Sequence, residues 1–367
     1  MGYHLVRKDA DDVERLWARC VGAEGLFVDR APLPREVLVL RGCRPVGRLL
    51  EAIIAPESAG RGLGSACVEV SDGDEPVQWW TLDDAVVIAG RADPGDPARY
   101  DIVLGAGVVP EGGRLPADPR FEFFIGLDSE GSRCETVDGL FRSRPEPVAV
   151  PMELIGCEFA EPLPPISDLD QVEVLVLDRH GTVMASHHVG NEVTVTRPSV
   201  LGDGLVDITV HHGGGDRPPV RARPIWDLWY QGPPAEVNGW AAYDTEGRKD
   251  WMELTTRAWR LPAEPDRTGG EHHVDGRFVT DKPGLHCAIA EALLGPGRYF
   301  GREWQAFRDC LNGGFGVVPP FTLIWHDAGV ARHALADVVE DPEGLLPYFD
   351  EVVQLLERFG VTVVLRD

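Results

Sequence analysis

The sequence predicts a multidomain chain: two repeated β-rich (α+β) modules, then a small α/β domain on a three-stranded parallel sheet. Three observations carry that reading. Residues 19–43 and 133–157 are alike at a constant offset of 114. A Gly/Pro-rich and then Trp-rich stretch follows residue 213. From Glu271 onward, short apolar runs alternate with segments of helical period. The expected segments are 1–113 and 114–213 as module copies, 214–270 as connector, and 271–367 as the α/β domain.

The repeat comes first. "RCVGAEGLFVDRAPLPREVLVLRGC" and "RCETVDGLFRSRPEPVAVPMELIGC" share nine of twenty-five positions, where average residue usage gives about two by chance. After a deletion the match resumes. "VEVSDGDEPVQWW" parallels "VLVLDRHGTVMAS", and "YDIVLGAG" parallels "VDITVHHG". Both members of the first of these pairs read as hairpins, a β-branched alternation broken by an Asp/Gly turn. Cys20 with Cys134, and Cys43 with Cys157, then occupy matching positions as small buried apolar groups. "GRGLG" at 60–64 precedes a strand-like run rather than a helix, so it reads as a turn and not a phosphate loop.

In the connector, tryptophans fall at 226, 229, 240, 251 and 259. They are expected to pack it against a neighbouring domain. "DTEGRKDWMELTTRAW" reads as a short helix, and "LPAEPDRTGGE" (261–271) as a linker.

In the last segment, "HHVDGRFV" is a strand and turn. "DKPGLHCAIAEALL" is an Asp-capped helix with Leu285, Ile289 and Leu293 on one stripe. The next helix carries Trp304, Phe307 and Leu311 on one face and Arg302, Gln305, Asp309 and Asn312 on the other. "FTLIWHD" is a strand buried on both faces. "LLPYFDEVVQLLERFG" is an amphipathic helix stopped by Gly360, and "VTVVLRD" a final buried strand.

Composition restricts the functions. The net charge of −25 argues against direct nucleic-acid binding, for which a basic face supplies the affinity, and suits a basic protein partner. No run of eighteen apolar residues occurs, so no membrane-spanning helix is expected. The opening "MGYHLVRKDADDVERLW" lacks an apolar signal core, so a cytoplasmic chain is expected. The seven cysteines and the pairs His187-His188, His211-His212 and His272-His273 match no metal-ligand spacing. No nucleophile triad or nucleotide loop is present, so neither an enzyme nor a cofactor is expected.

The ordered features of 273–367 resemble the barstar family of intracellular ribonuclease inhibitors. These features are the "DG" turn, the Asp-capped helix and the Tyr-aromatic-Gly step Tyr299-Phe300-Gly301. They continue with Trp304, Ala306, Phe307, Cys310 and Leu311, a strand ending in Trp325, and a closing helix–Gly–strand. The resemblance implies a non-enzymatic protein that occludes the active site of a basic ribonuclease or ribonuclease-type toxin. A carboxylate would stand in for the substrate phosphate. It implies a partner-binding face of Tyr299, Phe300, Gly301, Arg302, Gln305, Arg308, Asp309 and Gly313, with Asp309 as principal carboxylate and Tyr299 as contact aromatic. A second helix carboxylate of the family is Gln305 here, and a contact tryptophan is Arg308. Glu351 and Glu357 are the nearest candidates for the carboxylate of the last helix. Residues 271–367 hold 8 Lys/Arg against 15 Asp/Glu, a net −7 that favours a basic partner. The alternative is a scaffolding or regulatory protein whose repeated modules bind another partner and whose barstar-like face is repurposed.

Overall fold

The computed structural model describes residues 1–367 except 9–13, 30–31, 57–60, 74, 110–114, 126–130, 145–149, 161–171, 190–191, 212–216, 258–264, 337 and 339–345. Trp259, His212 and residues 261–264 of the expected linker lie outside the described residues. Two compact units result: residues 1–30, 149–338 and 347–367 form one, and residues 31–148 and 339–346 the other. These spatial units cut across the sequence segments 1–113 and 114–213.

The second unit holds a seven-stranded antiparallel sheet. Its strands are β4 (Arg35–Cys43), β5 (Gly62–Asp72), β6 (Glu75–Ala92), β7 (Tyr100–Val108), β8 (Pro119–Ile125), β9 (Ser132–Cys134) and β10 (Thr136–Asp138), in the order β10-β4-β7-β6-β5-β8-β9. Alternation decides its buried face: Val68 and Val70 of β5, Phe121 and Phe123 of β8 and Leu38 and Leu40 of β4 point inward. Helix α1 (Gly47–Ile54) adds Leu49 and Ala52 to that core. The expected hairpin at 68–80 is β5–β6. Of "GRGLG", the described residues lead directly into β5, with Gly64 at φ +71°.

The first unit contains β1 (Gly2–Lys8), β2 (Glu14–Cys20), β3 (Gly22–Glu24), β11 (Met152–Phe159), β12 (Val172–Leu177), β13 (Val183–Val189), β14 (Glu192–Pro198) and β15 (Val206–His211). They form an eight-stranded sheet in the order β13-β12-β1-β2-β11-β15-β14, with β3 also paired to β11. The β1–β2 hairpin therefore sits between β12 and β11, more than a hundred residues later in the chain.

Next come helices α2 (Arg223–Tyr230) and α3 (Thr245–Arg257). Trp226, Trp229, Trp240 and Trp251 are all buried, as connector packing requires. Trp226 stacks on His187 of β13 at 5.5 Å and meets Phe27 edge-on at 5.4 Å. Trp229 and Trp251 pack edge to face at 5.9 Å.

The C-terminal part has the expected three-stranded parallel sheet, β16 (Glu271–Asp275), β17 (Thr322–His326) and β18 (Thr362–Leu365), ordered β16-β17-β18. Its helices are α4 (Lys282–Leu294), α5 (Trp304–Leu311), α6 (Ala328–Ala334) and α7 (Tyr348–Arg358). Asp281 caps α4, accepting the Gly284 N–H at 2.7 Å, and α4 buries Leu285, Ile289 and Leu293. Helix α7 buries Tyr348, Phe349, Val352, Leu355 and Leu356 and is followed by Gly360 at φ +87°. One expectation needs correction. β18 is not a buried strand: it lies at the sheet edge, with Thr362 and Val364 exposed and Val363 and Leu365 half-buried, because it has a neighbour on one side only. Helix α6 buries only Ala328 and Ala331 and carries no strong apolar period, so the sequence reading does not include it. One continuous buried cluster joins the large sheet, the connector tryptophans and the C-terminal helices. Among the described residues, no helix is long and apolar enough to cross a membrane.

Candidate protein-binding face

The face is built on α5 and the loops on either side. Phe307, Cys310 and Leu311 point inward, while Gln305, Arg308 and Asp309 point to solvent. Trp304 is half-buried, 6.4 Å from the Tyr348 ring. The eight-residue helix is held by its apolar stripe rather than by its cap, since Glu303 at the N-cap makes no side-chain capping bond.

The preceding loop explains the Tyr-Phe-Gly step. Phe300 is 1% exposed and meets Phe307 edge-on at 5.9 Å, so in this conformation it serves the core and not the surface. Gly301 has φ +77°, and a Cβ there would lie 2.4 Å from the Phe307 Cα. No side chain fits. Gly301→Ala is expected to cost about 1–3 kcal/mol and to lower the denaturation midpoint of this domain. An unchanged midpoint would show that the loop relaxes freely. Tyr299 is half-buried and tilted against Phe315 at 6.0 Å, and burial pushes its hydroxyl up to about 12.

Gln305, Arg308 and Asp309 share the outward side of α5, and Tyr299 lies in the loop that leads into it. The Arg302 guanidinium pairs with Glu253 of α3. Among the described residues Arg308 and Asp309 make no ion pair. Gly313, at φ +116°, lies where a Cβ would approach the Asp266 carboxylate at 2.9 Å. That carboxylate accepts the N–H groups of Gly314 and Gly316, each at 2.8 Å, which hold it below the usual carboxylate range. Of the last-helix candidates, Glu357 is exposed and Glu351 is half-buried.

Sequence reasoning missed the connector's part. Glu253 and Asp266 hold the loops before and after α5, yet they lie 49 and 48 residues from their partners, with no periodic signal to link them. Further docking comes from Glu291, which accepts the Asn238 N–H at 2.8 Å and the Trp240 indole N–H at 3.1 Å; burial raises its carboxyl. Arg248 pairs with Asp281 at 3.0 Å and lies 5.3 Å from the Trp240 ring centre.

Behind α5, His286 is buried and its Nε2 lies 2.8 Å from the Tyr348 hydroxyl. Burial, then the Lys282 charge, push it down to about 3 from an ordinary 6.5. The unfolded chain therefore takes up this proton first. Its contribution to stability is complete above pH 6.5 and is lost as the pH falls through the window from 6.5 to 3. The expected slope is about 1.4 kcal/mol per pH unit for one proton. Denaturant midpoints at pH 7, 5 and 4 should fall more steeply for the native chain than for His286→Phe; parallel curves would remove His286 from the account.

No curated protein matches the chain. The family model Barstar (barnase inhibitor) matches residues 270–366. The parallel sheet, the capped α4 and the Gly301-locked entry to α5 all lie within that match, so residues 270–366 are similar to that family, and the residues before the connector are β-rich.

Proposed function

We propose that the C-terminal domain is an inhibitor or immunity module that blocks the active site of a basic ribonuclease or ribonuclease-type toxin with the outward face of α5. The observation that carries this reading is the Barstar match across 270–366, with Asp309 exposed on α5 and free of ion pairs among the described residues. A ribonuclease site is lined with cations that hold phosphate. An acidic domain attracts such a surface from a distance, and a single exposed carboxylate can anchor it on contact. The test is a titration of the full chain into a barnase-type ribonuclease, with RNA hydrolysis followed in parallel. Stoichiometric loss of activity supports the reading. Undiminished hydrolysis across basic ribonucleases and ribonuclease-type toxins would remove it.

We further propose that 1–113 and 114–213 are copies of one β-rich module that exchange their first strands. The pairings support this register by register. Gly22, Ala23 and Glu24 pair with Ile155, Leu154 and Glu153. Thr136, Val137 and Asp138 pair with Arg41, Leu40 and Val39, the same positions displaced by 114 in opposite directions. Gly42 and Gly156, also 114 apart, both have positive φ and donate their N–H to Asp101 and Asp207 respectively, at 3.1 and 2.8 Å.

A further inference from the structure

We propose that Cys20–Cys157 and Cys43–Cys134 are two oxidisable thiol couples, a pair of modification sites that staple the exchanged strands in place. Cys20 of β2 faces Cys157 of β11 with sulfurs 2.6 Å apart, and Cys134 of β9 faces Cys43 of β4 at 2.7 Å. All four are buried. Each couple joins strands that are neighbours in space but far apart in the chain, by 137 residues in one case and 91 in the other. The two couples are related by the same displacement of 114 that relates the strand registers. One close pair could be incidental core packing; the same pair built twice, at matching positions of two sheets, is a designed geometry. Cys67, Cys287 and Cys310 make no sulfur–sulfur contact among the described residues and act as internal controls.

The oxidant can be a small disulfide such as oxidised glutathione. One cysteine thiolate attacks a glutathione sulfur and releases one glutathione thiolate, leaving a mixed disulfide. The facing cysteine thiolate then attacks the protein sulfur and releases the second glutathione. Two protein thiols lose two electrons and two protons, and one glutathione disulfide becomes two thiols. In the reduced fold the facing thiol and burial both push Cys20 and Cys134 up, so attack waits for local opening of the short β2 or β9 segment. Once formed, links that close loops this long restrict the unfolded chain most and should stabilise both sheets.

The experiment is alkylation and intact-mass analysis of the full chain after incubation with oxidised glutathione. Three thiols are expected to label in denaturant without reductant, and all seven after reduction. Peptide mapping is expected to return 20–157 and 43–134 links, and the oxidised chain to melt several degrees higher than the reduced one. Cys20→Ala should lose one link and keep the other, so a folding defect in a single variant cannot mimic the result. Seven free thiols after oxidation, stable glutathione adducts in place of links, or links to Cys67, Cys287 or Cys310 would overturn the proposal.

Discussion

A fragment beginning at residue 271 is expected to melt on the order of 10 °C below one beginning at residue 217. The reason is what the connector covers. Trp240 and Trp251 are 1% and 2% exposed, and the Arg248–Asp281 pair is almost fully shielded from water. Cutting at 271 removes those rings and that guanidinium together, bares one side of α4, and leaves Asp281 without its cation. A loss of about 2–3 kcal/mol corresponds to a shift of this size in a domain of under 100 residues. Both fragments should still melt cooperatively by circular dichroism, since 271–367 contains the three-stranded sheet and the stripes of α4, α5 and α7. Equal melting temperatures would show that the connector only tethers. An unfolded short fragment would show that it completes the core.

Much of the C-terminal domain could be read from the sequence because its signals are local. The Asp281 cap, the Trp304–Phe307–Leu311 stripe and the stop at Gly360 each lie within a few turns of what they define. Helix α6 was hidden because its seven residues, three alanines and a glycine among them, carry no long apolar stripe. The pairing of β1 with β12 and of β3 with β11 was hidden for another reason. Likeness between two segments does not say which strand pairs with which, and these long-range pairings are a choice made by tertiary packing. On the candidate face, the outward set Gln305, Arg308 and Asp309 follows from helical period alone. That Phe300 turns inward, and that Arg302 is taken by Glu253, does not, because both depend on a loop path and on a helix remote in sequence.

The second large effect is expected at Asp309. Removing one partner of a desolvated charge pair strands the other, at a cost of about 2–5 kcal/mol. Asp309→Ala should therefore weaken binding to a cognate basic ribonuclease by at least about tenfold. The residue is exposed, so the melting temperature should barely move. Arg308→Trp with Gln305→Asp should act in the opposite sense on a barnase-type enzyme, because it removes a cation facing a cationic site and adds a carboxylate. The most direct measurement is an inhibition titration of RNA hydrolysis with the native chain and Asp309→Ala side by side, both checked for equal melting. The account predicts stoichiometric inhibition by the native chain and a right-shifted curve for the variant. Superimposed inhibition curves would place the inhibitory surface elsewhere and leave the outer face of α5 as ordinary solvated helix.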